Sequence, residues 1–201
     1  MRPGPRIVII AGPNGAGKTS TAPSILQGAL GVDEFVNTDA IAMGLSAFRP
    51  ERAALAAGKI MLRRLRELAD RRADFAFEST LAGRTYVPWL TSLRRGGYDV
   101  HIVYLWLSSP DLAVERVAGR VRLGGHDVPE GDVRRRYHAG LRNFFVLYRP
   151  LATDWEMLDN TTAGGPRPVA EGRGPETTEV YDEALWERIR GEGDRGEAQG
   201  R

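Results

Sequence analysis

The constraint that leaves the fewest options for this chain is near its start. Arg6-Ile7-Val8-Ile9-Ile10-Ala11 is an unbroken apolar run that leads directly into Gly12-Pro13-Asn14-Gly15-Ala16-Gly17-Lys18-Thr19. A short Val/Ile-rich run of this kind suits a strand buried on both faces, as in a parallel sheet. The eight residues after it match G-x-x-x-x-G-K-[ST] in full. Glycines let backbone amides turn inward around phosphate groups without a Cβ in the way. The helix expected from Lys18 to Gln27 would add the positive end of its dipole. Lys18 is placed to meet the β- and γ-phosphates of ATP, and the Thr19 hydroxyl to ligate Mg²⁺. Gly12, Pro13, Asn14, Gly15, Ala16, Gly17, Lys18, Thr19 and the adjoining Ser20 are therefore the expected nucleotide-binding residues.

The rest of the chain alternates. Short strands are expected at Glu34–Thr38, Asp74–Phe77, Asp99–Leu107 and Trp155–Leu158. Helices are expected at Pro50–Arg72, Arg84–Arg95, Pro110–Leu123 and Pro129–Tyr148. In the first of these helices Ala53, Ala54, Ala57, Ile60, Met61, Leu65 and Leu68 recur at helical spacing. Alternation of this kind implies right-handed βαβ units and a parallel sheet covered on both faces. The expected fold is an α/β P-loop NTPase: a three-layer sandwich like the nucleoside monophosphate kinases, with a parallel sheet and a helical lid. One domain is expected over residues 1–190, with the lid at about 116–137. A small hairpin and helix are expected at about 167–190, followed by a disordered Gly/Glu/Arg-rich tail at 191–201.

Composition removes several classes. The chain has no cysteine, which excludes thiolate nucleophiles, disulfides and Cys-based metal sites. There is no long apolar stretch to span a membrane. The residues before the P-loop are too short for a signal peptide, so a cytoplasmic location is expected. With 28 Lys+Arg against 26 Asp+Glu, the net charge of +2 argues against bulk attraction to nucleic acid.

A P-loop by itself does not say what is done with the nucleotide. In a parallel sheet the acceptor groups should gather at the carboxyl ends of the strands. Asp39 follows the second strand, where it can take a proton from an acceptor hydroxyl or cap a helix at Ala40–Met43; the residues allow both. Glu78, with Ser79 and Thr80, ends the third strand and is placed to bind an acceptor or to hold Mg²⁺ through water. Arg84 begins the next expected helix and can reach the same space. Arg116 and Arg120 share a helix face, and a glycine break at Gly124-Gly125 separates them from Arg134-Arg135-Arg136. Two arginine-bearing helices joined this way suit a lid. Arg120 and Arg134 are the favoured inward-facing pair, although spacing alone does not select them. His126, a lone histidine on the turn, reads as structural.

These segments together resemble the zeta-toxin family, and within it the short chromosomal branch. The resemblance is carried by Ile9 to Thr19, Asn37-Thr38-Asp39, Phe77-Glu78-Ser79-Thr80-Leu81, and Gly124-Gly125-His126-Asp127-Val128-Pro129 with Arg134-Arg135-Arg136-Tyr137. It implies ATP-dependent phosphorylation of a hydroxyl on UDP-N-acetylglucosamine, with Asp39 as base and Glu78 and Thr80 holding the sugar. It also implies lid arginines on the phosphates, carried by Arg120 and one of Arg134 to Arg136, and a possible antitoxin partner. Arg84 lies slightly later than the substrate arginine that follows the family's Glu-x-Thr. The rival expectations are a kinase of another metabolite, nucleotide or polynucleotide end, or a nucleotide-dependent switch that phosphorylates no acceptor.

Overall fold

The structure, a computed structural model, describes residues 4–195. Its centre is β1 (Arg6–Ala11), in which Ile7 to Ala11 are fully buried. Because side chains alternate along a strand, Ile7, Ile9 and Ala11 enter one core and Val8 and Ile10 the other. The apolar run thus serves two layers at once, which is why it carries no polar alternation.

On one side of β1 lie β3 (Phe75–Ser79) and then β2 (Phe35–Val36); on the other lie β4 (Asp99–Trp106) and β5 (Asp154–Asp159). All of these pairings are parallel. A hairpin of β6 (Arg167–Arg173) and β7 (Glu176–Val180) then adds to β5 antiparallel, completing a seven-stranded sheet in the order β2-β3-β1-β4-β5-β6-β7. The expected parallel sheet therefore covers the first five strands, and the hairpin makes the whole sheet mixed. The chain leaves β1 for strands on both sides, so the carboxyl end of β1 is a topological switch point where a crevice opens.

Helices cover both faces. The helix α1 (Lys18–Pro23) runs on as a π-helical stretch at Ser24–Leu30, so the segment begins as expected at Lys18 and widens after Pro23. Next come α2 (Thr38–Leu45) and α3 (Pro50–Asp70). The apolar spacing of α3 buries Ala57, Met61, Leu65 and Leu68, with Pro50 in its first turn. α4 begins at Val87 and ends at Arg95, three residues later in starting than the sequence suggested. α5 (Pro110–Arg122) is capped by Ser109, whose side chain accepts from the Leu112 amide at 3.1 Å.

The expected single helix to Tyr148 is α6 (Glu130–Asn143) followed by a π turn at Phe144–Tyr148. α6 places Val133 and Tyr137 in one core and Leu141 in the other, so it crosses the end of the sheet rather than lying on one face. α7 (Glu183–Arg195) packs Trp186 against Trp155, with ring centroids 5.6 Å apart. It corrects the expected tail: residues 191–195 are helical, and 196–201 lie outside the described residues.

Candidate functional site

At the switch point the chain turns off β1 under tight steric control. A Cβ on Gly12 would sit 2.3 Å from the Leu105 carbonyl oxygen, so β4 and the loop touch here through bare backbone. Gly17 has φ of +79° and begins α1, and a Cβ there would meet Asn160 Nδ2 at 2.8 Å. The motif's glycines are thus required by neighbours on β4 and beyond β5 as well as by the loop. Lys18 is buried, and its ammonium donates to the carbonyls of Gly12 at 3.0 Å and Pro13 at 2.8 Å. Burial pulls the Lys18 pKa below its ordinary value, while the Glu78 and Asp39 carboxylates act against that shift.

A cleft of about 570 Å³ opens above the loop. From the P-loop segment it is lined by Asn14, Gly15, Gly17, Lys18, Thr19 and Ser20. Gly12, Pro13 and Ala16 lie in the loop's buried underside. At the end of β3, Glu78 accepts a hydrogen bond from the Thr19 hydroxyl at 2.9 Å. Burial pushes the Glu78 carboxyl above the usual range, opposed by Lys18 and by the Thr19 hydroxyl. The opposite shifts of Lys18 and Glu78 share one cause, the low polarity of the cleft floor.

Asn37, and not Asp39, caps α2, the helix that follows the second strand. Its side chain accepts from the Ala40 amide at 2.9 Å, and its amide reaches the Thr19 hydroxyl at 3.4 Å. Asp39, in the first turn of α2, is relieved of capping and lines the cleft. Its Oδ2 faces Arg120 Nη1 at 3.9 Å.

The structure sorts the arginines differently from the sequence. Arg116, Arg120 and Arg136 line the cleft. Arg134 does not: it bonds Asp111 at 2.6 Å and Glu130 at 2.8 Å on the outer face of the lid. Residues 134 and 136 are about 200° apart around a helix, so only one of them can face inward. Arg116 forks onto the carbonyls of Asn160 at 2.8 Å and Thr161 at 2.7 Å, while Asn160 donates to the Ala16 carbonyl at 2.8 Å. This chain of contacts braces the P-loop against the end of β5. Arg84 is also displaced, lying exposed in the turn before α4 and outside the cleft lining. Tyr86 lines the cleft instead, together with Thr38, Ala54, Ser79 and Thr80.

Thr80 owes its position to contacts from across the sheet. Buried Asn143 donates to the carbonyls of Leu81 at 2.8 Å and Ala82 at 3.1 Å, and the Tyr148 hydroxyl donates to that of Gly83 at 2.6 Å. Leu81 is fully buried with φ of +54°, a left-handed conformation unusual for leucine. His126, expected to be structural, lines the cleft, and its carbonyl accepts from Arg120 at 2.6 Å. Position after a strand was the hint at Asn160; Asn37 and His126 stood within the segments that carry the family resemblance but without a site role, and nothing local marked Tyr86.

The oxygen set fits Mg²⁺. The Thr19 hydroxyl and Glu78 carboxylate are adjacent hard donors. Mg²⁺ is usually held by one or two protein oxygens together with phosphates and water.

A buried P-loop at the switch point of a β2-β3-β1-β4-β5 parallel core, under a helical lid, defines a P-loop domain of kinase-like fold. Residues 7–141 match the AAA domain family (AAA_33), and the chain belongs to that family. An uncharacterized protein of Haemophilus influenzae is 29% identical over 132 residues, 66% of this chain and 92% of that protein. Among solved structures, a chain of the AvrRxo1-ORF1:AvrRxo1-ORF2 complex with sulphate ions has a TM-score of 0.74 at 17% identity. That match covers 92% of this chain, which spans only 63% of the AvrRxo1 chain. The same complex with ATP gives 0.71 at 17% identity, covering 93% and 64% of the two chains. The PezAT chromosomal toxin–antitoxin system of Streptococcus pneumoniae gives 0.62 at 15% identity, covering 98% and 86%. At these identities the likeness is one of fold. No helix among the described residues is long and apolar enough to cross a membrane.

Proposed function

We propose that this chain is an ATP-dependent phosphotransferase acting on an alcohol hydroxyl, within the zeta-toxin-like branch of P-loop kinases. The observation that carries the reading is Asp39, a carboxylate freed from capping by Asn37 and facing Arg120 in the cleft that holds Lys18 and Thr19. A carboxylate placed after the second strand and facing the phosphate-binding lysine can orient an acceptor hydroxyl and take its proton, and transfer of label to an acceptor distinguishes this role from activation of water.

In this reading the P-loop amides and Lys18 hold the β- and γ-phosphates. Asp39 accepts the hydroxyl proton as the acceptor oxygen bonds to the γ-phosphorus and the bond to the β-bridging oxygen breaks, releasing ADP. Arg120 and Arg136 offset charge on the transferring group. Glu78 and Thr19 would hold Mg²⁺, which supplies charge neutralisation between the β- and γ-phosphates. Thr38, Thr80 and Tyr86 offer hydroxyls to the acceptor, and Ala54 an apolar contact. UDP-N-acetylglucosamine is the leading acceptor, from the sequence resemblance and the fold shared with PezAT. That structure's toxin–antitoxin context also supports a small antitoxin as a partner.

The test incubates the protein with γ-labelled ATP, Mg²⁺ and a panel of acceptors led by UDP-N-acetylglucosamine. Label should pass to an acceptor and be lost in Asp39→Asn and Lys18→Ala. ATP hydrolysis that is unchanged in Asp39→Asn, with no labelled acceptor, would refute the assignment and favour a nucleotide-dependent switch.

A further inference from the structure

Three buried polar atoms without a hydrogen-bond partner belong to side chains of the same cleft: Asn14 Oδ1, Arg120 Nε and His126 Nδ1. Burying a polar atom unpaired is unfavourable, so such atoms collect where a ligand completes them. Asn14 lies in the P-loop and Arg120 is a lid arginine. His126 belongs to neither set and has no role in the mechanism above.

The turn fixes His126 relative to Arg120. Arg120 Nη2 donates to the His126 carbonyl at 2.6 Å, and a Cβ on Gly125 would lie 2.5 Å from Arg120 Cγ, so the turn rests directly on the arginine stem. Arg120 Nη1 in turn faces Asp39 Oδ2 at 3.9 Å. With Nη2 of Arg120 hydrogen-bonded and Nη1 ion-paired, its Nε and His126 Nδ1 remain as two buried nitrogens without a partner in one unit at the cleft wall. That unit stands beside Asp39 in the cleft that the P-loop also lines. Two N–H donors from one unit suit a group with several anionic oxygens.

We infer that His126 is a ligand of the γ-phosphate: Nδ1–H donates to a terminal phosphate oxygen of the bound nucleoside triphosphate, beside Arg120 Nε–H. The inference rests on reading the cleft as a triphosphate site; it does not depend on the identity of the acceptor. Gly124 and Gly125 then serve to lay the histidine against the arginine.

Calorimetric titrations of the full chain with Mg²⁺ and either the non-hydrolysable analogue AMP-PNP or ADP provide the test. His126→Ala should weaken AMP-PNP about tenfold, as expected for loss of a hydrogen bond to a charged group, and leave ADP within about twofold. His126→Asn, whose amide nitrogen falls near the Nδ1 position, should recover most of the loss at unchanged melting temperature. Equal weakening of both nucleotides in His126→Ala, or no weakening of AMP-PNP, would overturn the inference. Wild-type protein that does not bind AMP-PNP would overturn the nucleotide reading and this inference together. Wild-type protein that binds it but labels no acceptor would remove only the kinase reading, and His126 would still be decided by the titrations.

Discussion

Replacing Asn143 tests how the Thr80 side of the cleft, the proposed acceptor side, is held. Its amide is buried and donates to two main-chain carbonyls, of Leu81 at 2.8 Å and Ala82 at 3.1 Å. Those carbonyls belong to the turn that carries Thr80, and Leu81 within it holds φ of +54°. For a non-glycine residue that conformation costs about 1–2 kcal/mol, so the turn needs outside support. Asn143→Ala removes both donors and leaves both carbonyls short of a partner. At ~1–2 kcal/mol for each lost bond the cost is about 2–4 kcal/mol. For a chain of this size that corresponds to a fall in Tm of roughly 5–12 °C. Asn143→Asp should be worse near neutral pH, because a carboxylate would face two carbonyl oxygens. Thermal unfolding followed by circular dichroism measures the first effect, and acceptor KM against kcat measures the second. KM should rise with the ATP affinity little changed, since the P-loop contacts are elsewhere. An alanine variant that melts within about 1 °C of wild type would refute the claim that these two bonds hold the turn.

Glu78 should make stability depend on pH. Burial holds its folded-state pKa above the ordinary carboxylate value. The protonated form is therefore favoured in the folded protein, and that contribution fades as pH rises through the folded value. Glu78→Gln has no proton to lose, so its Tm relative to wild type should be more favourable at about pH 8 than at about pH 4. A constant difference across that range would contradict the burial argument. Arg136→Ala should reduce phosphoryl transfer at least about tenfold, whereas Arg134→Ala should leave it near wild type; paired rate measurements compare the two. Asn160→Ala should weaken nucleotide binding and cost about 1–2 kcal/mol of stability, through loss of the bond to the Ala16 carbonyl. Denaturant unfolding and nucleotide titration check both effects.

What the sequence by itself determined is local in origin. A double-sided apolar strand, a glycine loop and a helix beginning at Lys18 are specified by neighbours along the chain, and they reappear as β1, the P-loop and α1. The alternation of strands and helices implied the five parallel strands, and the placement of Asp39 and Glu78 after strands implied their presence in the crevice. The choice between Arg134 and Arg136 was not local, because it depends on how α6 crosses the end of the sheet, and an arginine run looks alike in every register. Which residue caps α2 was equally open until the structure showed Asn37 in that position, since Asn37 and Asp39 both suit an N-cap by type. The hairpin's union with β5 depends on edge pairing across the chain. The joining of Asn143 to the turn after β3, and of His126 to Arg120 in the cleft, depends on packing. Periodicity reports which face of an element is apolar; it carries no information about which polar residue that face will meet, and that choice belongs to the tertiary structure.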